Sequence, residues 1–525
     1  MLEKSGIFCY NNSMKKEVNY QELSKEELIK LLLKKEDDFN RKIEEYEAKF
    51  KAMQIKINEQ LKEIETLKEK NILARVRQFC PKSEHSIENN EFNEAESVTQ
   101  KRGRKQGSKN FDYDYLERHV SKEIILESKE EKCSTCRETL ISIGEDITYK
   151  LDYEPSKLIV TKVISKKKAC PKCNKIHQEI KDDVFPHSIC TPSLVSAIMT
   201  NKFLVGIPYY RQSEYYFDNG IKLSRQDLCN YQLRATELLE PLYQRLKIHL
   251  LNTKSKCLCA DETILRVLDV NDKSKCYMWV YVSSYYDQPI YYYEFQKSRS
   301  KENPKAILKG FKGYLLTDAY QGYNDIENVK NCYCWAHARR KFYEIVKTLK
   351  SEQLNESKAY GMIQRIDKLF HIEEMMRKNK YSPHQIREER NKESYLVLLK
   401  DVKKYAEDIN ATPESALGKA NNYLLKHWKE FTTYLEDGHI EMTNNISERA
   451  IKPFVIARKN FLFNATCDGA SSSAIIFSLQ QTARANLLDS EKYITKVLEL
   501  IKPNMSNEEL DNLLPWNITK SYNLS

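Results

Sequence analysis

The stretch from residue 257 to residue 335 constrains the fold most, because its apolar residues follow the periodicity of strands after a long helical stretch. Five strands and one short helix are predicted there, in the order strand, strand, strand, helix, strand, strand. The predicted strands cover residues 257–270, 276–285, 289–295, 313–317 and 329–335, and the helix covers 303–309. This order predicts an α/β domain.

That order, followed by further helices, matches the ribonuclease-H-like fold, in which the first and fourth strands lie side by side and parallel at the centre of the sheet. Asp261 and Glu262 lie in the first strand. Since neighbours on a strand point to opposite faces, only one of them can join a site with Asp318. Asp318 ends an apolar strand, at the edge where open α/β sheets place ligands. The spacing alone leaves Asp261 and Glu262 as alternatives.

A third carboxylate is expected from a helix that covers the sheet, and the segment 443–452 supplies Glu448. One interpretation is purely structural: with Asn445 as the N-cap, Glu448 would be the glutamate of a capping box. The other is functional, because Asn445, Glu448, Arg449 and Lys452 share one helical face, which places a metal ligand beside groups that bind phosphate. Both interpretations remain open from periodicity.

Three clustered carboxylates suit phosphodiester chemistry, in which two divalent ions about 3.5 to 4 Å apart activate the attacking oxygen and stabilise the leaving oxygen. Hard oxygen ligands favour Mg²⁺ or Mn²⁺ over Zn²⁺. The cofactor predicted at this site is therefore a pair of Mg²⁺ or Mn²⁺ ions.

The cysteines predict a second, chemically different metal site. Two Cys-x-x-Cys pairs supply four thiolates, which suits a structural Zn²⁺ ion with tetrahedral coordination. The four residues are Cys133, Cys136, Cys170 and Cys173. Redox pairs or coincidence are the alternatives. No ligand position would stay open, so catalytic zinc is not expected there.

Near the N-terminus, apolar residues recur at alternating steps of four and three, which is the spacing of a coiled-coil seam. Gln60 and Asn71 are polar seam positions that can fix register and strand number. The seam consists of Phe39, Ile43, Tyr46, Phe50, Met53, Ile57, Ile64 and Leu67. We predict a homo-oligomer that associates through this segment; a single amphipathic helix folded back on its own chain is the alternative.

Residues 192–252 are predicted to be helical, with a break at Asn219-Gly220 that fits a helix-turn-helix. Ser224 and Asp227 form a predicted capping box for the last helix. Side chains near the start of that helix are in the position from which base edges are read. These side chains are Arg225, Gln226 and Asn230. Helical packing between domains would produce the same pattern.

The charge balance permits a polyanionic partner without requiring one: 85 Lys and Arg residues oppose 75 Asp and Glu residues, a net charge of +10. Residues 79–120 form a predicted flexible linker with a basic cluster, in which Arg102 and Arg104 suit either groove contact or simple solubility. No apolar run approaches the roughly 18 residues of a membrane span, and no signal peptide is evident. We expect a cytoplasmic, nucleoid-associated protein with no membrane partner.

Several motifs resemble the DDE transposases of the insertion sequence 66 family nearly end to end. They are Asp261-Glu262-Thr263, Thr317-Asp318-Ala319-Tyr320, the segment from Cys334 to Phe342, Thr443-Asn444-Asn445 with Glu448-Arg449-Ala450, the segment from Arg458 to Phe463, and Leu513-Leu514-Pro515-Trp516. The resemblance implies that the catalytic acids are Asp261, Asp318 and Glu448, which favours Asp261 over Glu262. It also implies a zipper-like start, a zinc finger, a helix-turn-helix and a C-terminal extension.

The sequence departs from the family pattern before the zinc segment, where the arginine-rich stretch is shorter and more polar. The resemblance therefore does not extend to a groove role for Arg102 and Arg104. Further predicted contacts to DNA come from the motifs after the fifth strand and after the third carboxylate, namely Arg339, Arg340, Arg458 and Lys459. His337 could also touch a phosphate, but as a single histidine at a strand end it is not counted as catalytic.

The expected protein is a multidomain α/β transposase that binds the ends of a mobile element and cleaves and joins DNA with divalent metal. Accessory proteins of the same element are a further expected class of partner. A ribonuclease-H-like nuclease or resolvase, and an inactive DNA-binding regulator, are the alternatives. The predicted organisation is a coiled coil over 20–78, a basic linker over 79–120, a zinc-binding segment over 121–190, a helix-turn-helix domain over 191–252, a ribonuclease-H-like core over 253–349 and 441–487 with a helical insertion over 350–440, and a C-terminal extension over 488–525.

Overall fold

The structure is a computed structural model of the whole chain, and it describes residues 24–79, 120, 158–165, 167–169, 176–178, 183–270, 275–349 and 353–518. Two compact units are present: one comprises Met1–Pro81 together with Asp183–Ser525, and the other comprises Lys82–Asp182. Each is described by itself.

Helix α1, Lys25–Phe79, is one continuous helix of 55 residues, as the heptad pattern predicts. The side chains of its predicted coiled-coil seam are exposed to solvent: Phe39 is 64% exposed and Phe50 is 69% exposed. Ion pairs of the type expected on a solvated helix, such as Lys49 with Glu45 at 2.8 Å, lie along it. The helix is confirmed, whereas its association with another copy remains a prediction.

In the unit formed by Lys82–Asp182, two short strands pair antiparallel: β1, Lys167–Ala169, and β2, Ile176–Gln178. Ala169 lies opposite Ile176, so the chain reverses direction between the strands. The segment that joins them contains Cys170 and Cys173. These two cysteines, like Cys133 and Cys136, lie outside the described residues.

Between residues 183 and 256, directly before the main sheet, the chain forms three α-helices: α2, Pro192–Thr200, which continues into a π-helix at Asn201–Val205; α3, Tyr209–Asp218; and α4, Arg225–Leu251. The predicted capping box is confirmed, because the Ser224 side chain accepts from the Asp227 N–H and the Asp227 side chain accepts from the Ser224 N–H. Gly220, with φ of +82°, allows the turn between α3 and α4. Whether this pair reads DNA remains a prediction.

The main sheet has five strands, and their spatial order is β5-β4-β3-β6-β7. In chain order they are β3, Cys257–Arg266; β4, Lys275–Ser283; β5, Tyr291–Gln296; β6, Gly313–Thr317; and β7, Val329–Tyr333, with helix α5, Glu302–Ile307, before β6. β3 pairs parallel with β6 and antiparallel with β4. The predicted adjacency of the first and fourth strands is therefore confirmed.

Helices cover both faces of this sheet. α12, Asn445–Phe461, covers one face, where the Tyr293 hydroxyl donates to the carbonyl oxygen of Ala450. α13, Cys467–Ala485, lies along the edge strand β5, where the Tyr293 N–H donates to Ser478 at 2.8 Å. On the other face, Tyr243 of α4 stacks on Tyr292 at 4.6 Å between ring centroids. One hydrophobic core thus joins the helices before the sheet to those after it. The predicted first strand ends earlier than expected, at Arg266 rather than at residue 270.

Between the two parts of the core the chain is helical, as predicted for the insertion. The helices are α6, Trp335–Val346; α7, Lys358–Lys378; α8, Pro383–Arg390; α9, Glu393–Glu407; α10, Ala416–Lys426; and α11, Trp428–Thr432. The buried Arg390 guanidinium pairs with Glu373 and donates to the carbonyl oxygens of Tyr434 and Ile440 at 2.9 Å. This network fixes the segment through which the chain returns toward α12.

Three helices close the chain: α14, Ser490–Leu500; α15, Asn507–Asn512; and α16, Pro515–Ile518. Asp511 of α15 accepts two hydrogen bonds from Arg245 of α4, at 2.7 and 2.6 Å. The C-terminal segment therefore supports the helices that back the sheet. Across the described ranges, no helix is both long enough and apolar enough to cross a membrane.

Candidate active site

Asp261 lies in β3, and Asp318 directly follows the neighbouring parallel strand β6. Cys259 of β3 pairs with Leu316 of β6, and extending this register by two residues brings Asp261 level with Asp318. Residues at the same level of parallel strands point to the same face, and neighbouring strands lie about 4.8 Å apart. The Tyr320 N–H donates to Asp318 Oδ1 at 2.9 Å and helps to fix that carboxylate. The fold thus brings the two carboxylates close enough for the charge of Asp318 to raise the pKa of Asp261.

The start of α12 is anchored directly beside Asp261. The Asn444 side-chain amide donates to the carbonyl oxygen of Ala260 at 2.9 Å, and the Asn444 N–H donates to Cys334 Sγ at 3.0 Å. The Trp335 N–H donates to the carbonyl oxygen of Met442 at 3.1 Å. These contacts hold the helix that carries Glu448 against both β3 and the beginning of α6.

This arrangement corrects the capping interpretation of Glu448. The N-cap of α12 is Asn444 rather than Asn445, and no side-chain capping bond is formed at this helix start. The Glu448 carboxylate instead lies 3.7 Å from His337 Nδ1 and 3.8 Å from a terminal nitrogen of Arg340. A capping box therefore does not explain the glutamate.

Electrostatics shows that the three carboxylates influence one another. Burial raises the pKa of Asp261 from 3.8 to about 7, and the adjacent charge of Glu262 adds to this rise. The charges of Asp318 and Glu448 raise it further, while a hydrogen bond from the Glu262 N–H to Asp261 at 2.8 Å opposes the rise. An ionised Asp261 is therefore costly in this protein unless a cation compensates it.

Glu262 points to the opposite face and has partners of its own. Its side chain is 3% exposed and pairs with Arg299, while Tyr323 donates to it at 2.6 Å. Burial raises the pKa of Glu262, although both partners act to lower it. The alternation expected along the strand is thus observed, and the Glu262 carboxylate is occupied by a structural ion pair.

One feature of the site was missed by the sequence reasoning: Cys334, His337 and Glu448 form a cluster whose ligand atoms lie within 4.8 Å of one another. His337 Nδ1 and Glu448 Oε1 are both buried without a hydrogen-bond partner. Burial lowers the pKa of His337. The Cys-x-x-His spacing of residues 334–337 was the available signal, because residues three apart at a helix start lie close together.

The predicted DNA-contacting residues differ in exposure, and Arg340, beside Glu448, is half-buried. Most are exposed: Arg225, Gln226, Asn230, Asn445, Arg449, Lys452 and Lys459. Arg339 pairs with Asp367 of α7 at 2.6 Å, and Arg458 donates to Thr263 and to the carbonyl oxygen of Ile264. These contacts give Arg339 and Arg458 a structural role that does not depend on DNA binding.

Comparison with protein families identifies the class. Residues 187–472 match the family described as Transposase IS66 family, so the chain belongs to this family of transposases. Residues 130–174, which include the four paired cysteines, match the zinc-finger binding domain of transposase IS66. Residues 478–516 match the IS66 C-terminal element.

Similar curated proteins come from Sinorhizobium fredii and are themselves uncharacterized. The uncharacterized protein y4jD is 30% identical over 442 residues, which cover 79% of this chain and 83% of that protein. The uncharacterized protein y4hP is 27% identical over 430 residues, covering 76% of this chain and 75% of that protein.

Proposed function

We propose that this transposase binds the ends of a mobile element and catalyses divalent-metal-dependent cleavage and joining of DNA strands, with Asp261, Asp318 and Glu448 as its catalytic acids. The observation that carries the proposal is that Asp261 lies in β3 and Asp318 directly follows the parallel neighbour β6, with the start of the Glu448 helix bonded to Ala260. Packing alone gives no reason to bring three acidic side chains together.

The sheet supports assignment of a ribonuclease-H-like core. Its first strand, β3, lies between the second and the fourth, it is parallel to the fourth, and the helical insertion separates Asp318 from Glu448. Acids of this core meet at the carboxyl end of β6, where open α/β sheets place ligands. The fold and the chemistry thus favour the same site.

The side chains of the site fit Mg²⁺ or Mn²⁺. The donors are carboxylate oxygens, which are the ligands that these ions prefer. Two further observations favour a cation: the raised pKa of Asp261, and the buried Glu448 Oε1 without a hydrogen-bond partner. When bound, two such ions would supply activation of the attacking oxygen and stabilisation of the leaving oxygen. Asp261, Asp318 and Glu448 would hold them, and β3, β6 and α12 fix the positions of these three groups.

The remaining parts of the chain would serve DNA recognition and assembly. We assign a structural Zn²⁺ ion to Cys133, Cys136, Cys170 and Cys173, in the segment that matches the zinc-finger family. The exposed start of α4, with Arg225, Gln226 and Asn230, would contact the element end. The uncovered seam of α1 would join two or more copies.

The decisive experiment offers the purified chain a labelled DNA fragment that carries one element end, with Mg²⁺ or Mn²⁺ and a target plasmid. Cleavage at the end together with joined products supports the proposal. Cleavage without joining would indicate a nuclease or resolvase, and end binding without either reaction would indicate an inactive regulator. Both results would overturn the proposed function.

A further inference from the structure

Cys334, His337 and Glu448, here called the thiol cluster, combine three types of metal ligand around one point. Cys334 is the N-cap of α6, His337 lies in the first turn of that helix, and Glu448 enters from α12. Cys334 is fully buried. The Asp261 and Asp318 carboxylates offer only oxygen, so the thiol cluster differs from the proposed Mg²⁺ site in chemistry, although the two share Glu448.

Burial raises the pKa of the Cys334 thiol to about 11, and nearby N–H donors act against this rise. The Asn444 N–H donates to the Cys334 sulfur at 3.0 Å, and the His337 N–H donates to the Cys334 carbonyl oxygen at 3.2 Å. N–H donors and the positive end of a helix dipole both stabilise negative charge on sulfur. Cation binding requires Cys334 to lose its thiol proton, because the thiolate is the form of cysteine that binds metal.

The distance between the imidazole and carboxylate ligand atoms suits two ligands of one tetrahedral ion. His337 Nδ1 and Glu448 Oε1 lie 3.7 Å apart, too far for a hydrogen bond, and each lacks a hydrogen-bond partner. Zinc bonds of about 2.0 to 2.3 Å give ligand-to-ligand distances of roughly 3.3 to 3.8 Å in a tetrahedron. The largest separation within the cluster, at most 4.8 Å, would have to shorten by about 1 Å. Arg340, the nearby cation, lies against the other oxygen of Glu448.

We propose that the thiol cluster binds a thiophilic divalent cation of the Zn²⁺ class, with three protein ligands and an open fourth position. Binding would displace the Cys334 thiol proton to solvent and leave thiolate, imidazole and carboxylate on the ion. The ion would draw Glu448 away from Asp261 and Asp318. It would therefore inhibit catalysis, a consequence that rests on the proposed function, whereas the binding itself does not.

The test uses Co²⁺ as the probe, because a thiolate bound to tetrahedral Co²⁺ gives a near-ultraviolet charge-transfer band. The full-length chain is first brought to one bound zinc ion per chain, the number that the four-cysteine site would retain, and is then titrated with Co²⁺. The band is recorded for wild type, Cys334→Ser, His337→Gln and Cys332→Ser. Cys332 is the matched control, since it is a buried free cysteine that lies in β7 and is not part of the thiol cluster. Thermal unfolding establishes that each variant is folded.

We expect one equivalent of Co²⁺ to produce the band in wild type and Cys332→Ser, loss of the band in Cys334→Ser, and at least tenfold weaker Co²⁺ binding in His337→Gln. An equal band in Cys334→Ser and wild type, or no added band in wild type, would overturn the proposal. If Cys334→Ser is unfolded, the result for His337→Gln decides. Co²⁺ binding by His337→Gln as strong as that of wild type would also overturn the proposal.

The inhibitory consequence is measured separately in the Mg²⁺-dependent cleavage assay. Micromolar Zn²⁺ should inhibit wild type and Cys332→Ser, and Cys334→Ser should need at least tenfold more Zn²⁺ for the same inhibition. Equal inhibition of all three would overturn this consequence. If no variant cleaves DNA but the Co²⁺ band behaves as expected, the proposed function fails while the metal site stands.

Discussion

The side-chain amide of Asn444 donates a hydrogen bond of 2.9 Å to the carbonyl oxygen of Ala260, the residue before Asp261. This bond joins residues 184 positions apart in the chain. It fixes the start of the Glu448 helix beside the strand that carries Asp261. The bond thus links the two elements that carry Asp261 and Glu448, two of the three proposed catalytic acids.

Asp318→Asn should abolish strand cleavage and joining while end binding stays largely intact. The substitution is nearly isosteric, but it removes a negative charge that would help to hold two divalent ions. The measurement is metal-dependent cleavage of a fragment that carries one element end, beside a gel-shift assay. Asp325→Asn is the matched control, since Asp325 is exposed in the following loop. Wild-type cleavage by Asp318→Asn, or equal losses of binding and cleavage, would show that the active site is misplaced.

Glu262→Gln should retain substantial cleavage activity, whereas Asp261→Asn should lose it. The two residues are neighbours, but Glu262 faces Arg299 and Tyr323 on the other side of the strand. Its substitution should mainly lower stability, by about 1 to 3 kcal/mol, because Arg299 loses a charged partner. Cleavage rates and chemical denaturation of both variants provide the comparison. Comparable losses of cleavage in the two variants would contradict the assignment.

The metal-free protein should lose stability as pH rises through about 7, and Asp261→Asn should reduce this loss. The folded-state pKa of Asp261 is raised from 3.8 to about 7, so its stabilising contribution is complete below about 4 and disappears as the carboxyl ionises. The difference is a few kcal/mol at most, because one pKa unit corresponds to about 1.4 kcal/mol. Unfolding midpoints of both proteins in chelator at pH 5 and pH 8 test this. An unchanged pH dependence in the variant would refute it.

Cys170→Ser should lower the zinc content by one equivalent relative to wild type. The substitution removes one of four thiolates, and a structural zinc site needs all four ligands to stay closed. Metal analysis of protein prepared without chelators gives the result. Cys229→Ser serves as the control, because Cys229 is a free cysteine in α4, far from the paired cysteines in sequence. Wild-type protein without zinc would rule out the site.

A segment comprising residues 25–79 should be oligomeric, because eight apolar seam residues gain little from remaining in water. Phe50→Lys should weaken the association at least tenfold, since it places a charge in the seam. Lys51→Glu, one position outside the seam, should leave association nearly unchanged. Sedimentation at tens of micromolar, typical for coiled coils, measures all three. A monomeric wild-type segment would count against self-association.

The sequence by itself determined the local structure: the long N-terminal helix, the capping box of Ser224 and Asp227, the five strands in their order, and Asp261, Asp318 and Glu448 as candidates. These features depend on periodicity, turn residues and motifs that a short stretch of chain contains. Only the tertiary structure decided the partners of those side chains. The alternation along β3 predicted that Asp261 and Glu262 would separate, but only the packed sheet showed Glu262 paired with Arg299 and Tyr323. Likewise, the capping interpretation of Glu448 failed because Asn444 bonds to Ala260, and the thiol cluster formed because α6 and α12 meet. Such contacts join segments far apart in the chain, so their energies depend on the completed packing and not on local pattern.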